Sequence, residues 1–254
     1  MTRVFQEIGR FLIFFFKACQ WLVKPPYRIS LFVEQLDAIA DKSVFIICLT
    51  GVFTGLVSTI QFYYGFQLIR PDELVGPTTV LGLARELAPT FTAIVVTGRA
   101  GAAMAAQIGA MRVTEQIDAI EVMAVNPIQY LVSPRIFAGF LSLPVLTTLF
   151  LFIGSVAAYF AGVDLLGIDR SVFYLHLRDF VFVRDLVQGL IKAAVYGILF
   201  SSISAYMGFY ASGGARGVGK ATNLAVVVTL VLILIGDYFL TLVIRALFYH
   251  GVKG

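Results

Sequence analysis

Long uncharged runs alternate with short charged stretches along this chain, and that alternation sets the first expectations about its elements. Residues 3–24 are apolar but interrupted by Arg3, Gln6, Glu7, Arg10, Lys17, Gln20 and Lys24. On a helix these polar side chains fall within an arc of roughly 140°, and Phe, Leu, Ile and Trp21 fill the rest. The pattern predicts a helix lying in a membrane interface against an anionic leaflet. A secretory signal is the competing reading, but charges at positions 7, 10 and 17 interrupt its apolar core and no small-residue cleavage site follows. Pro25 and Pro26 end the helix, and a short amphipathic stretch over residues 31–42 leads onward.

Residues 43–69 contain no charge and suffice for one crossing, which takes about 20 apolar residues. Residues 70–86 read as a polar connector with breakers at Pro71, Gly76 and Pro77. A second span is expected over 87–110, interrupted only by Arg99. Over 112–124 charges recur at every third residue, Arg112, Glu115, Asp118 and Glu121, opposite an apolar stripe of Val113, Ile117, Ile120 and Ala124. That spacing predicts a short amphipathic helix outside the bilayer core. Further spans are expected over 136–163, over 186–211 with Lys192 near its start, and over 224–244 with Asp237 inside. Between them lie a polar connector, 164–185, and a Gly-rich basic loop, 212–223. The fold class is therefore all-α integral membrane, one domain over 1–254 with an N-terminal interfacial helix, five transmembrane helices and the short helix 112–124.

Composition supports this. Apolar residues make up 59% of the chain and charged residues 13%, with mean hydropathy +0.90, whereas soluble domains average about 45–50% and about 25%. A soluble enzyme, a nucleic-acid-binding module and a disordered tail are excluded. The pI near 9.1 reflects Lys and Arg placed beside the spans. Putting the N-terminus, the 111–135 loop and the 212–223 loop on one side gathers ten of the 19 Lys and Arg there. Seven lie opposite, and Arg99 and Lys192 sit within spans. The bias favours a cytoplasmic N-terminus and a periplasmic C-terminus.

Small residues recur at Gly98, Ala102, Ala106 and Ala110, with a neighbouring row at Gly101, Ala105 and Gly109. Such rows let helix backbones approach closely in lipid, either within the chain or at a subunit interface. Arg99 lies in this surface about 18 Å from either end of its span. A buried arginine there either attracts an anionic headgroup or pairs internally, with Asp237 or with a helix-end carbonyl. Asp237 is open to the same two readings, and Lys192 is expected to snorkel. Phe62-Tyr63-Tyr64 reads as an interfacial belt or as the lining of a lipid path. The candidate lipid-cavity residues are Arg99, Gln61, Tyr64, Gln107 and Asp237. Gly214 to Gly219-Lys220 almost spells a phosphate-binding loop, but Ala221 replaces the Mg²⁺-binding hydroxyl. His176 and His250 have no partners at ligand spacing, so no metal is expected, and no hydrolase motif is present. The helix 112–124 is either a docking surface for a soluble partner or a solvated connector.

Three strings together resemble a known family: Glu86-Leu87-Ala88-Pro89, Gly98-Arg99-Ala100-Gly101-Ala102-Ala103, and Met111 to Ile120 followed by Asn126-Pro127 and Ser133-Pro134-Arg135. Across residues 86–135 the chain closely resembles the MlaE/YrbE permeases of ABC systems that work with MCE-domain (mammalian cell entry) proteins. The resemblance implies an inner-membrane homodimer that moves phospholipid to or from a periplasmic MCE-domain protein and maintains outer-membrane lipid asymmetry or supply. It implies a separate cytoplasmic ATPase that binds ATP and Mg²⁺, this chain holding no cofactor, and a possible small accessory subunit. The helix after the second span becomes a coupling helix, with Arg112, Thr114, Glu115, Asp118 and Glu121 toward the ATPase. Arg99 matches the family's arginine near the lipid cavity, whereas Gln107 stands where some relatives carry an acid. An ion-coupled secondary transporter using Arg99, Asp237 and Lys192 as a relay is the alternative; it would usually show internal repeats, and none is visible. A lipid-modifying enzyme would need a nucleophile or metal set that the chain does not offer.

Overall fold

In a computed structural model, which describes residues 2–25, 29–67 and 71–249, every regular element among the described residues is helical. The helices are α1 (Thr2–Val23), α2 (Ile29–Ile39), α3 (Val44–Gly65), α4 (Pro71–Gly82), α5 (Ala88–Val96), α6 (Ala102–Val113) and α7 (Gln116–Val122). They continue with α8 (Ser133–Tyr159), α9 (Arg170–Phe180), α10 (Val183–Phe209) and α11 (Gly214–Tyr249). Single π-helical turns join several of them, at Leu83–Leu87, Thr97–Gly101, Ile128–Val132 and Phe160–Leu165. Pro26 and His250, named above, lie outside the described residues.

Five helical stretches are long and apolar enough to cross a bilayer: Ile29–Gly65, Asp72–Val113, Ile128–Leu165, Val183–Phe209 and Gly214–Leu247. The all-α membrane architecture holds, but several boundaries move. The connector expected over 70–86 is helical. Asp72 and Glu73 in the first turn of α4 complement its positive end, and Pro77 is tolerated because the helix is held by tertiary packing. Val75, Ile168 and Phe173 form a buried cluster against which Phe62, Phe66 and Tyr159 pack. Gly76 lies so close to the Phe173 ring that an added Cβ would meet it at 3.0 Å.

The connector 164–185 likewise contains α9. Asp169 caps it, accepting hydrogen bonds from the backbone N–H of Ser171 (2.8 Å) and Val172 (3.3 Å) and from the Ser171 hydroxyl. These bonds, the Ser171 hydroxyl first, hold the exposed Asp169 carboxyl below its ordinary range. The cap is therefore present at neutral pH and is lost as the pH falls through that lowered value.

The Gly-rich loop expected over 212–223 also shrinks. Gly213 (φ 93°) and Gly214 (φ 66°) make the turn in the left-handed region, and α11 starts at Gly214. The Ser212 carbonyl oxygen would lie 1.8 Å from a Cβ on Gly217, so the turn needs glycine there. Gly219 and Lys220 are thus helical and form no phosphate-binding loop. Finally, the single helix expected over 112–124 is broken at Thr114–Glu115, where Glu115 adopts φ 58°, into the end of α6 and the short α7.

The chain divides into two compact units. One comprises Met1–Lys42, Val96–Ser142 and Val195–Ile233. In it the buried face of α1 docks on protein: Phe14 lies edge-on to Tyr206 at 5.5 Å, and the Ser133 hydroxyl donates to the Ala18 carbonyl (2.9 Å). The Tyr206 hydroxyl donates to Glu7 (2.9 Å). The opposite face of α1 exposes Phe5, Ile8, Leu12, Ile13 and Phe16, the apolar surface that an interfacial helix gives to lipid. The other unit comprises Ser43–Val95, Leu143–Ala194 and Leu234–Gly254. There α3 and α8 touch at Gly55 and Gly154, while Phe45, Phe53 and Val57 of α3 are exposed.

Candidate functional site

The most unusual chemistry lies in the second unit, where Lys192 of α10 is fully buried in an apolar chain. Its ammonium donates to Glu86, to Asp237 Oδ1 at 3.0 Å and to Thr241 Oγ1 at 2.8 Å, so all three N–H groups are used. Glu86 stands in the π turn Leu83–Leu87, a distortion common at functional positions. Asp237 and Thr241 are one turn apart on α11, and Thr241 donates in turn to the Asp237 carbonyl (2.7 Å). The Thr90 hydroxyl reaches Asp237 Oδ1 at 3.4 Å.

The positions follow from local packing. Gly189 abuts the backbone of Ala84, whose carbonyl oxygen would lie 2.1 Å from an added Cβ. That approach brings Lys192, one turn further along α10, within reach of Glu86. Nearby, Arg85 Nε and Nη2 both donate to Asp185 Oδ1 (3.0 and 2.7 Å), and Asp185 Oδ2 accepts from the Phe182 amide (2.9 Å). The Asp185 side chain is fully buried.

With all three groups ionised, the Glu86–Lys192–Asp237 cluster carries a formal charge of −1. The ammonium is sequestered, but the side chains of Glu86 and Asp237 remain 40% and 25% exposed. The accessible edge of the cluster is therefore anionic, suited to an ammonium or hydroxyl group.

The expectation that Lys192 snorkels is thus corrected, because two carboxylates make burial of its head less costly than a long reach to the interface. Asp237 does have an internal partner, which is Lys192. Glu86 was missed as a site residue because it closes what reads as a polar connector. The Asp237–Thr241 spacing of four is the one local signal that two polar groups share a face of α11.

Arg99, in the first unit, donates from Nη2 to the carbonyls of Ala38 and Ile39 at 2.8 Å each. These are the last carbonyls of α2, so a cation sits at the negative end of a helix dipole. Of the pairings open to Arg99, the structure displays the helix-end carbonyl. Arg99→Gln is expected to weaken the last turn of α2 by about 2 kcal/mol, since hydrogen bonds to charged groups contribute about 1.5–3 kcal/mol. Amide exchange over residues 36–40 should rise about tenfold or more, and unchanged exchange would assign Arg99 no capping role.

Gln107 accepts from Arg135 Nη2 at 2.9 Å, so the amide at this position engages an arginine by hydrogen bonding without a charge pair. Gln61 and Tyr64 are exposed near the end of α3. Arg99 thus meets the end of α2, Gln107 meets Arg135, and Asp237 meets Lys192.

The two small-residue rows divide in function. Gly101, Ala105 and Gly109 are buried: Gly101 faces Ser204, the Ala105 carbonyl faces Gly208, and Gly109 faces Val218. In the other row Gly98 and Ala110 are exposed, Ala102 and Ala106 are half-buried, and a Cβ on Gly98 would meet nothing within 4 Å. At the 112–124 segment Arg112 Nη1 pairs with Asp118 Oδ1 at 2.5 Å across the break, and Thr114 donates to the Ala110 carbonyl (2.9 Å). Ile117 is buried and anchors α7, while Glu115, Glu121, Val122 and Met123 face outward.

The family described as Permease MlaE matches residues 32–243. A probable ABC transporter permease protein of Rickettsia prowazekii is 39% identical over 236 residues, which cover 93% of this chain and 91% of the relative. The intermembrane phospholipid transport system permease protein MlaE of Haemophilus influenzae is 34% identical over 240 residues, 93% of this chain and 91% of that protein. The chloroplastic protein TRIGALACTOSYLDIACYLGLYCEROL 1 of Arabidopsis thaliana is 36% identical over 219 residues, 86% of this chain and 61% of that protein.

Proposed function

The chain belongs to the MlaE permease family, and from that premise we propose that it is the membrane subunit of an ABC transporter for phospholipid. In this reading lipid passes between the inner membrane and a periplasmic MCE-domain protein, and the N-terminus lies in the cytoplasm. The observation that carries the reading is the buried Glu86–Lys192–Asp237 cluster, whose accessible carboxylate edges give a polar headgroup a foothold among apolar helices. Intramembrane ionisable groups are conformationally expensive and mark substrate pathways. The row of Gly98, Ala102, Ala106 and Ala110, exposed at its two ends and half-buried between, is the surface on which a second copy would pack, making a homodimer.

This chain supplies no nucleotide chemistry in the proposed mechanism. A cytoplasmic ATPase binds ATP and Mg²⁺ and grips α7, whose anchored Ile117 and outward Glu115, Glu121, Val122 and Met123 make a lever. Closure of the ATPases would bias two states of the permease pair. A small accessory subunit is compatible with this arrangement.

The test is affinity purification from native membranes, which should recover an ATPase and an MCE-domain protein. Reversing both Glu115→Lys and Asp118→Lys removes the Arg112 pair and inverts the outward charge. ATPase recovery should then fall at least about tenfold, the equivalent of about 1.4 kcal/mol of interface energy. Normal recovery and normal lipid movement in that variant would remove α7 from the coupling role. One specific observation favours the ion-coupled alternative, the formal −1 charge of the buried cluster. Beside Lys192 and Asp237 such a relay would also have Glu86 within reach.

A further inference from the structure

Arg135, at the start of α8, is 3% exposed. Its Nε donates to Gln35 Oε1 (3.1 Å) and its Nη2 to Gln107 Oε1 (2.9 Å). Both acceptors are neutral amides. Nη1 is buried and has no hydrogen-bond partner among the described residues. A guanidinium is always charged and carries two N–H donors on Nη1, so among the described residues this cation has no counterion bonded to it. Burying such a group without an acceptor is strongly unfavourable.

The same side chain borders a cavity of about 170 Å³, lined also by Leu31, Glu34, Gln35, Gln107 and Tyr130. At about 30 Å³ per water this is room for roughly five waters, or for one small polar group of comparable size. Its two charged linings are of opposite sign and differently placed. Arg135 is buried at the base, whereas Glu34 is exposed. Leu31 and Glu34 belong to α2, which lies in the first of the long apolar stretches, Ile29–Gly65.

We propose that this cavity seats the phosphate of a zwitterionic lipid headgroup, its anionic oxygens on Arg135 and its ammonium toward Glu34. Phosphate oxygens suit a guanidinium both in charge and in geometry, and the acid at the mouth selects against a headgroup of net negative charge. The two glutamine oxygens hold the guanidinium plane before the ligand arrives. The seat uses none of the Glu86–Lys192–Asp237 residues and does not depend on the transport reading. It is a resident-lipid site, read out by occupancy and not by turnover.

Two probes distinguish a lipid from free phosphate. The full chain, with whatever copies accompany it, is reconstituted in nanodiscs of phosphatidylethanolamine and phosphatidylglycerol in equal parts, and retained lipids are counted by native mass spectrometry. Wild type should retain one phosphatidylethanolamine per chain that Arg135→Gln loses. Leu31→Trp, which leaves the guanidinium in place and fills the cavity, should lose the same lipid. That second variant carries the test if Arg135→Gln does not fold. Glu34→Gln should keep the lipid but shift its identity toward phosphatidylglycerol. In parallel, the chain is melted in a maltoside detergent with added inorganic phosphate or chloride, and no difference in Tm is expected. Equal lipid retention in wild type and Leu31→Trp overturns the proposal and leaves the cavity to water. A phosphate-dependent rise in Tm that Arg135→Gln abolishes, without a retained lipid, overturns the lipid assignment in favour of free phosphate.

Discussion

Lys192→Met should abolish lipid movement and destabilise the protein by about 2 kcal/mol. Removing one partner of a fully buried ion pair costs about 3–5 kcal/mol, and the lower figure reflects the partial exposure of Glu86 and Asp237. The loss arises because two carboxylates then face each other with no cation between them. Adding Asp237→Asn to Lys192→Met removes that repulsion, so the double variant should be more stable than the single one. Melting of the purified chain in detergent measures this non-additivity. If Lys192→Met melts like wild type, or if the double variant is worse than the single, the cluster is not a coupled unit.

Gly189→Val should produce a similar transport defect with every charged residue still present. A Cβ at this position would stand 2.1 Å from the Ala84 carbonyl oxygen, far inside contact distance. Overpacking of this kind costs about 1–3 kcal/mol, occasionally more. It also pushes α10 away from the π turn that carries Glu86, so Lys192 loses its shortest partner. Gly219→Ala is the matched control, because a Cβ there meets nothing within 4 Å and alanine favours the helix. Both variants should be compared for Tm and for lipid transfer. Unimpaired transfer in Gly189→Val would break the proposed link between helix packing and the polar cluster.

The existence of the spans was legible in the sequence because about 20 apolar residues have few alternatives in water. Their ends were not. The stretch from Pro71 to Glu86 looks like a connector by composition, but an acidic first turn and the Phe173 contact make it helical. The two small-residue rows were legible as helix-packing surfaces, yet spacing cannot say which row meets a neighbour. Only the packing of Gly101, Ala105 and Gly109 on Ser204, Gly208 and Val218 decides that. Lys192 and Glu86 are 106 residues apart in sequence, and no local pattern links them. Arg99 was recognisable as needing a partner, but the end of α2 has no glycine cap to announce the carbonyls that it meets. The charge periodicity over 112–124 suggests one continuous helix, while the left-handed turn at Glu115 that breaks it was hidden because that residue type rarely adopts it.

The most direct test of a permease driven by another subunit uses proteoliposomes containing a fluorescent phospholipid and an acceptor MCE-domain protein. Transfer should require the co-purified ATPase together with ATP, and should vanish in Lys192→Met while the ATPase remains bound. Transfer by this chain alone under a proton gradient, or ATP hydrolysis by this chain alone, would contradict the account.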